Sequence, residues 1–336
     1  MKQIKYVLKF TSILLISLIL IDQTLLKLYQ EKIMVGNMNR GDVLRAPAPY
    51  IEFKGKPLSS DHNEFGYRFD LNEKSDATIK IAFFGGSTGY LGNPPLPTIL
   101  ENDLEKLTHK KIKVANFSVI SSNHRQHLHN LLETRSFFQP DIVIFYGGYN
   151  ETAQNGFYDP RPGYPYNYFF RNETSPLFQW LMSNSPSVYL LNNLGIRYRL
   201  WDWTGLNKLK TEANVFTSAW NKTIVNNYFE TQMLAKSVSE GFPSKVCGGH
   251  TQFLFFYQPY QLPEQFPQVA ELNNQIVQKF PQIDYGHDLS TILDGPKKSE
   301  KFDDIVHVKQ EVNQLIGLEI AKRLITDKRL VHCWKP

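Results

Sequence analysis

Residues 79–90 read IKIAFFGGSTGY. The first six are a mostly apolar run of strand length, and the rest places three glycines around one serine, Ser87. A short apolar run closed by glycine suits a strand buried on both faces. Such a strand presents the residues that follow it at the C-terminal edge of a sheet, where open α/β folds bind their ligands. Whether Ser87 is a nucleophile or only a turn residue depends on what else reaches that edge.

The chain on either side continues in the same register of elements. Residues 96–107 carry Leu96, Ile99, Leu100, Leu104 and Leu107 at helical spacing, and 112–119 (IKVANFSV) read as a strand. Residues 122–138 predict a helix that stops before Pro140, and 141–146 (DIVIFY) a buried strand followed at once by GGYNE. Strand and helix in alternation are the signature of right-handed βαβ units and a parallel sheet. Further on, 219–238 form a helix with Ile224, Val225, Tyr228, Phe229 and Leu234 on one face. A strand is expected at 251–257 (TQFLFFY), a helix at 263–280, a short strand within 282–292, and a last amphipathic helix at 308–324. In that last helix Val312, Leu315, Ile316, Ile320 and Leu324 face inward. Residues 156–205 break the pattern with prolines and tyrosines and read as an insertion, either a pocket wall or an aromatic cluster that steadies a long excursion.

With 336 residues, two domains or one large domain with insertions are both allowed. The hydrophobic share of 42% excludes a disordered chain, and the net charge of +5 is spread too thinly for a nucleic-acid surface. The N-terminus is organised differently. Lys2, Lys5 and Lys9 precede twelve uncharged residues, 10–21 (FTSILLISLILI), with no small-residue cleavage site after them. This predicts an uncleaved single-pass membrane anchor over 1–28, lysines inside and the remainder outside the cytoplasm, on the periplasmic side, with a cleaved signal or a buried helix as the alternatives. Residues 29–78 then read as a linker and irregular cap, 79–326 as the main domain, and 327–336 as a tail. The two cysteines, Cys247 and Cys333, can pair in an oxidising compartment or stand apart as thiols.

Four places carry chemistry: Ser87 in GGST, Asn116 to Val119 in NFSV, Asn150 in GGYNE, and Asp304 with His307 in DDIVH. Three follow a predicted strand and the fourth precedes the last helix, so all four converge on one sheet edge. A serine hydroxyl, an imidazole to take its proton and a carboxylate to orient the imidazole are what nucleophilic acyl transfer needs.

On these residues the chain resembles the SGNH (GDSL-like) hydrolase family over 79–324, with the insertion unmatched. GGST is similar to the block that carries the family's serine, GGYNE to its G-x-N-D block, and DDIVH to its D-x-x-H block. Glu151 stands where the family more often has Asp, and Ser118 where its second block has glycine. The resemblance implies a three-layer α/β/α sandwich with a mostly parallel, flavodoxin-like sheet. It implies Ser87 as nucleophile, His307 as base and Asp304 as its orienting acid. The oxyanion would be met by the backbone N–H groups of Ser87 and Ser118 and the Asn150 amide, with no metal or cofactor. The implied reaction is hydrolysis of an acyl ester, with an acylated surface glycan or a lipid as partner. An acyltransferase or lysophospholipase with the same triad, or a non-catalytic glycan-binding protein, are the alternatives.

Four competing patterns stand against this. Residues 85–89 also spell G-x-S-x-G, but no oxyanion loop of HGGG type precedes Ser87 as α/β-hydrolases require. No Lys-Ser/Thr pair follows the glycines, which disfavours a phosphate loop. A second D-x-x-H, Asp284 to His287, reads as a strand. His124, His127 and His129 sit on a polar helix face and are expected in solvent.

Overall fold

The run at 79–85 folds as β1 (Ile79–Gly85), and every residue in it except Lys80 is buried. This computed structural model describes residues 2–30, 45–48, 51–58, 62–73, 76–152, 185, 187–188, 191, 194–195, 219–261 and 267–335. The expected insertion at 156–205 falls almost wholly outside them. The chain divides into two units, Met1–Pro47 with Asn167–Lys208, and Ala48–Tyr166 with Leu209–Pro336.

In the first unit α1 (Lys2–Gln30) is a single helix. Among the described residues no helix is long and apolar enough to cross a membrane, so the expected transmembrane segment is not supported. Lys9 and Asp22 limit the uncharged stretch to twelve residues, about 18 Å of helix against a hydrocarbon core of about 30 Å. Asp22, which closes that stretch, accepts hydrogen bonds from Ser185 Oγ and Ser187 N, both at 2.9 Å.

The second unit is built on a five-stranded sheet. After β1 come α2 (Ser87–Tyr90), α3 (Leu96–Thr108) and β2 (Ile112–Asn116). Then follow α4 (His124–Thr134), β3 (Ile142–Gly147), α5 (Ala219–Glu240), β4 (Gln252–Tyr257), α6 (Pro267–Val277) and β5 (Gly286–Asp288). The chain closes with α7 (Gln310–Thr326) and α8 (Val331–Trp334). The strand order is β2-β1-β3-β4-β5, all pairs parallel, with register such as Phe84↔Phe145 and Phe145↔Phe255. This is the flavodoxin-like doubly wound order, whose direction reverses between β1 and β3.

Alternation along each strand sends successive side chains to opposite faces. One face packs Ile81, Phe83, Ile144, Leu254 and Phe256 against Leu96, Leu100 and Leu104 of α3 and Ile316, Ile320 and Leu324 of α7. The other face is aromatic. Phe84, Phe145 and Phe253 meet edge to face, His124 and His127 lie against Phe145, and Tyr228 stacks on His124. His124 and His127 are therefore buried in α4, not in solvent as their polarity suggested, and only His129 is exposed. Leu234 and Leu315, expected inward, are 42% and 56% exposed. Cys247 and Cys333 form a disulfide that fastens α8 to the core.

Candidate active site

The turn after β1 is set by what surrounds it. Gly86 caps α2, and a Cβ there would stand 2.6 Å from Asn150 Nδ2 and 3.3 Å from Ser122 O. A Cβ on Gly89 would stand 2.5 Å from Ser118 Oγ. The glycines around Ser87 thus let the turn lie flat on the end of β2 and against Asn150. Ser87 is half-buried at the first position of α2, where a backbone N–H has no partner within the helix.

The D-x-x-H spacing has a local explanation. Asp304 Oδ1 accepts the backbone N–H of Val306 at 2.9 Å and of His307 at 2.8 Å, folding the loop into a turn. That turn brings His307 Nδ1 to 2.6 Å from Asp304 Oδ2. The other ring nitrogen, Nε2, lies 2.6 Å from Ser87 Oγ. The segment that follows β4 steadies this loop, because Gln261 N donates to Ile305 O at 2.8 Å. Partial burial opposes ionisation of Asp304, but the hydrogen bond and charge of His307, with the two backbone N–H groups, outweigh it. Its carboxyl is held down at about 2.

Asn150 follows β3 and so stands across the switch point from Ser87. Its Nδ2 donates to Ser122 O at 2.7 Å, which fixes the amide plane beside Gly86. The Gly148 backbone that carries it there has φ +119°, and a Cβ on it would lie 2.0 Å from the Tyr257 ring, so only glycine fits.

Ser118 is placed differently from the expectation. It is fully buried, and its N–H donates to Asn116 Oδ1 at 3.0 Å, so this amide is not open to a substrate oxygen. The reason is register: Phe117 N bonds Phe83 O and Val119 N bonds Gly85 O, which turns the intervening amide away from β1. Asn116 Nδ2 also donates to Gly89 O at 3.3 Å. Asn116 and Ser118 thus support the turn that carries Ser87 from below.

The second D-x-x-H lies elsewhere. His287 is in edge strand β5, stacked on Phe256, with Nε2 3.3 Å from Asp327 Oδ2, while Asp284 is exposed. Sequence reasoning missed Gln258, just after β4, which is 4% exposed and whose Oε1 receives the Thr88 hydroxyl at 3.3 Å. Its only sequence signal is its place directly after a buried strand. Beside His307 a cavity of about 180 Å³ is lined by Thr88, Leu91, Tyr146, Val306 and Val308 among others. Among the described residues no group of three or more His, Cys, Asp or Glu is arranged to hold a metal ion.

No family model and no curated protein matches this sequence. Some solved structures are similar to it in part. The lipase Lip_vut3 from a goat rumen metagenome is similar at TM-score 0.43 and 12% identity, over 75% of this chain and 99% of that one. A lipase/acylhydrolase from Enterococcus faecalis is similar at 0.42 and 13%, over 73% and 95%. The acetylxylan esterase Axe2 from Geobacillus stearothermophilus is similar at 0.41 and 12%, over 76% and 97%. At such identities and scores the function rests on the geometry of the site.

Proposed function

We propose that this protein is a serine hydrolase that cleaves an acyl ester through an acyl-enzyme. The observation that carries the reading is the unbroken relay from Ser87 Oγ through His307 to Asp304, with 2.6 Å at each step. His307 Nε2 takes the Ser87 proton as Oγ attacks the ester carbonyl, and returns it to the departing alcohol. A water then repeats the sequence and frees the acid. Asp304 holds the imidazole with Nε2 unprotonated and facing the serine. The tetrahedral oxyanion is met by the Ser87 N–H at the start of α2 and the Asn150 amide beside Gly86. Each such donor contributes about 100- to 1000-fold in turnover.

The substrate is read as a short acyl ester, such as an O-acetyl group, on a glycan outside the cytoplasm. A cavity of about 180 Å³ beside His307 suits a small group and is smaller than the roughly 300–1,000 Å³ of ordinary ligand pockets. The Cys247–Cys333 disulfide supports an oxidising, extracytoplasmic compartment. Hydrolysis is favoured over acyl transfer because the His307 and Asp304 side chains are 31% and 54% exposed, so water reaches the acyl-enzyme.

The test is p-nitrophenyl ester hydrolysis across acyl lengths, together with acetate release from acetylated polysaccharides. Wild type is expected to prefer acetyl to octanoyl esters and Ser87→Ala to be inactive on all of them. Undiminished turnover by Ser87→Ala would remove the nucleophile, and a preference for long chains would remove the small-acyl substrate.

A further inference from the structure

The turn after β3 sets two consecutive side chains on the segment that opens α4. Asn150 Nδ2 donates to Ser122 O, and Glu151 Oε1 accepts the backbone N–H of His124. Glu151 is only 8% exposed, and carboxylates are rarely buried without a partner. Here the carboxylate meets the first turn of an eleven-residue helix, where the aligned peptide dipoles favour negative charge. It also lies 4.0 Å from His124 Nδ1.

His124 is held in turn from three sides. Its Nδ1 is 2.5 Å from Gln232 Nε2 of α5, and its ring stacks on Tyr228 at 5.3 Å. Its Nε2 faces Gly147, where a Cβ would approach to 3.0 Å. Burial lowers the imidazole pKa, against the pull of Glu151 and Gln232, and so favours the neutral ring. The proton relay from Ser87 to Asp304 uses none of these groups, yet they grip the turn that carries Asn150.

We propose that Glu151 is a positioning residue for ester cleavage: by tying the β3 turn to the start of α4, it aims the Asn150 amide at the oxyanion. The inference rests on the hydrolase reading above. An amide has two N–H groups. The bond to Ser122 O uses one and thereby directs the other, and Ser122 moves with the helix start that Glu151 holds. A shift of about 1 Å in such a group can lower turnover about 100-fold.

The experiment is a double-mutant cycle on kcat and KM for p-nitrophenyl acetate, using wild type, E151A, N150A and E151A/N150A, with E151Q beside them. E151A is expected to lower kcat about 10- to 100-fold with KM within about twofold, because the lost stabilisation belongs to the transition state. On the N150A background the same change should cost no more than about twofold, since Glu151 then has nothing to aim. E151Q keeps an acceptor oxygen for the His124 N–H and should recover kcat to within about fivefold of wild type. Should E151A not fold, E151D, whose carboxylate falls one methylene short of that N–H, takes its place in the cycle with the same non-additivity expected. Equal losses on both backgrounds, or a loss confined to KM, in an enzyme that wild type shows to be active overturn the positioning role alone. A wild type that cleaves no ester overturns the hydrolase reading, and this proposal with it.

Discussion

The His307 imidazole can take a proton from Ser87 only if its other nitrogen is committed, and Asp304 provides that commitment twice over. One carboxylate oxygen folds the loop and the second holds the ring. Asp304→Asn keeps the shape but presents an amide to Nδ1, which favours the wrong tautomer, so kcat should fall about 1,000- to 10,000-fold with KM little changed. The same residue has a signature in stability. Its folded pKa is depressed from 3.8 to about 2, so its contribution is fully present above the unfolded value and is lost as pH falls through the folded one. Urea midpoints of wild type and Asp304→Asn should therefore differ at pH 5 and converge between about pH 4 and 2. A gap unchanged across that range would show that Asp304 is not held as described. Gly86→Ala makes a third test at this scale, because its methyl would displace the Asn150 amide. Turnover should drop about 100-fold or more while the fold survives. The D-x-x-H pattern was legible because its spacing is a local turn. Ser118 was not, since the direction of its amide is decided by pairing with β1, which no local pattern records.

At the scale of elements, the strands were legible and one helix face was not. Strands buried on both faces read as continuous apolar runs, so β1, β3 and β4 stood out in FFGG, DIVIFY and TQFLFFY. Helix α4 carries polar side chains on the face it buries, with Gln126, His127 and Asn130 each about 1% exposed or less. Hydrophobic periodicity registers only Leu128 and Leu131 there. That buried face predicts a pH effect. Burial lowers the pKa of both His124 and His127 below the usual 6.5. The unfolded chain then binds protons that the folded one does not, so stability should begin to fall as pH drops below about 6.5. Wild-type urea midpoints should decline between pH 7 and 5, and His127→Phe should flatten part of that decline. An identical slope in the variant would mean His127 is not kept neutral by the fold.

For the molecule as a whole, the order β2-β1-β3-β4-β5 puts the chain reversal between the strands that deliver Ser87 and Asn150. The site lies where topology leaves a crevice. Alternating strand and helix patterns were enough to expect that parallel sheet. The pairing of Cys247 with Cys333 was not legible, because residues 86 apart in sequence meet only through the packing of the final helices. Closing so long a loop lowers the entropy of the unfolded chain by a term worth about 4–5 kcal/mol at most. Reduction, or a paired Cys→Ala substitution, should therefore lower the unfolding midpoint clearly without touching kcat at 25 °C. The N-terminal segment was legible as a helix but not as the expected membrane anchor: Lys9 and Asp22 leave twelve uncharged residues between them, and among the described residues no helix is long and apolar enough to cross a membrane. In the proposed reaction Ser87 is a nucleophile activated by His307. Reaction with a fluorophosphonate probe, followed by peptide mass spectrometry, tests it most directly. One adduct is expected, on Ser87, formed at least 100-fold more slowly in His307→Ala; an adduct on another residue, or labelling of Ser87 at an unchanged rate without His307, would overturn the assignment.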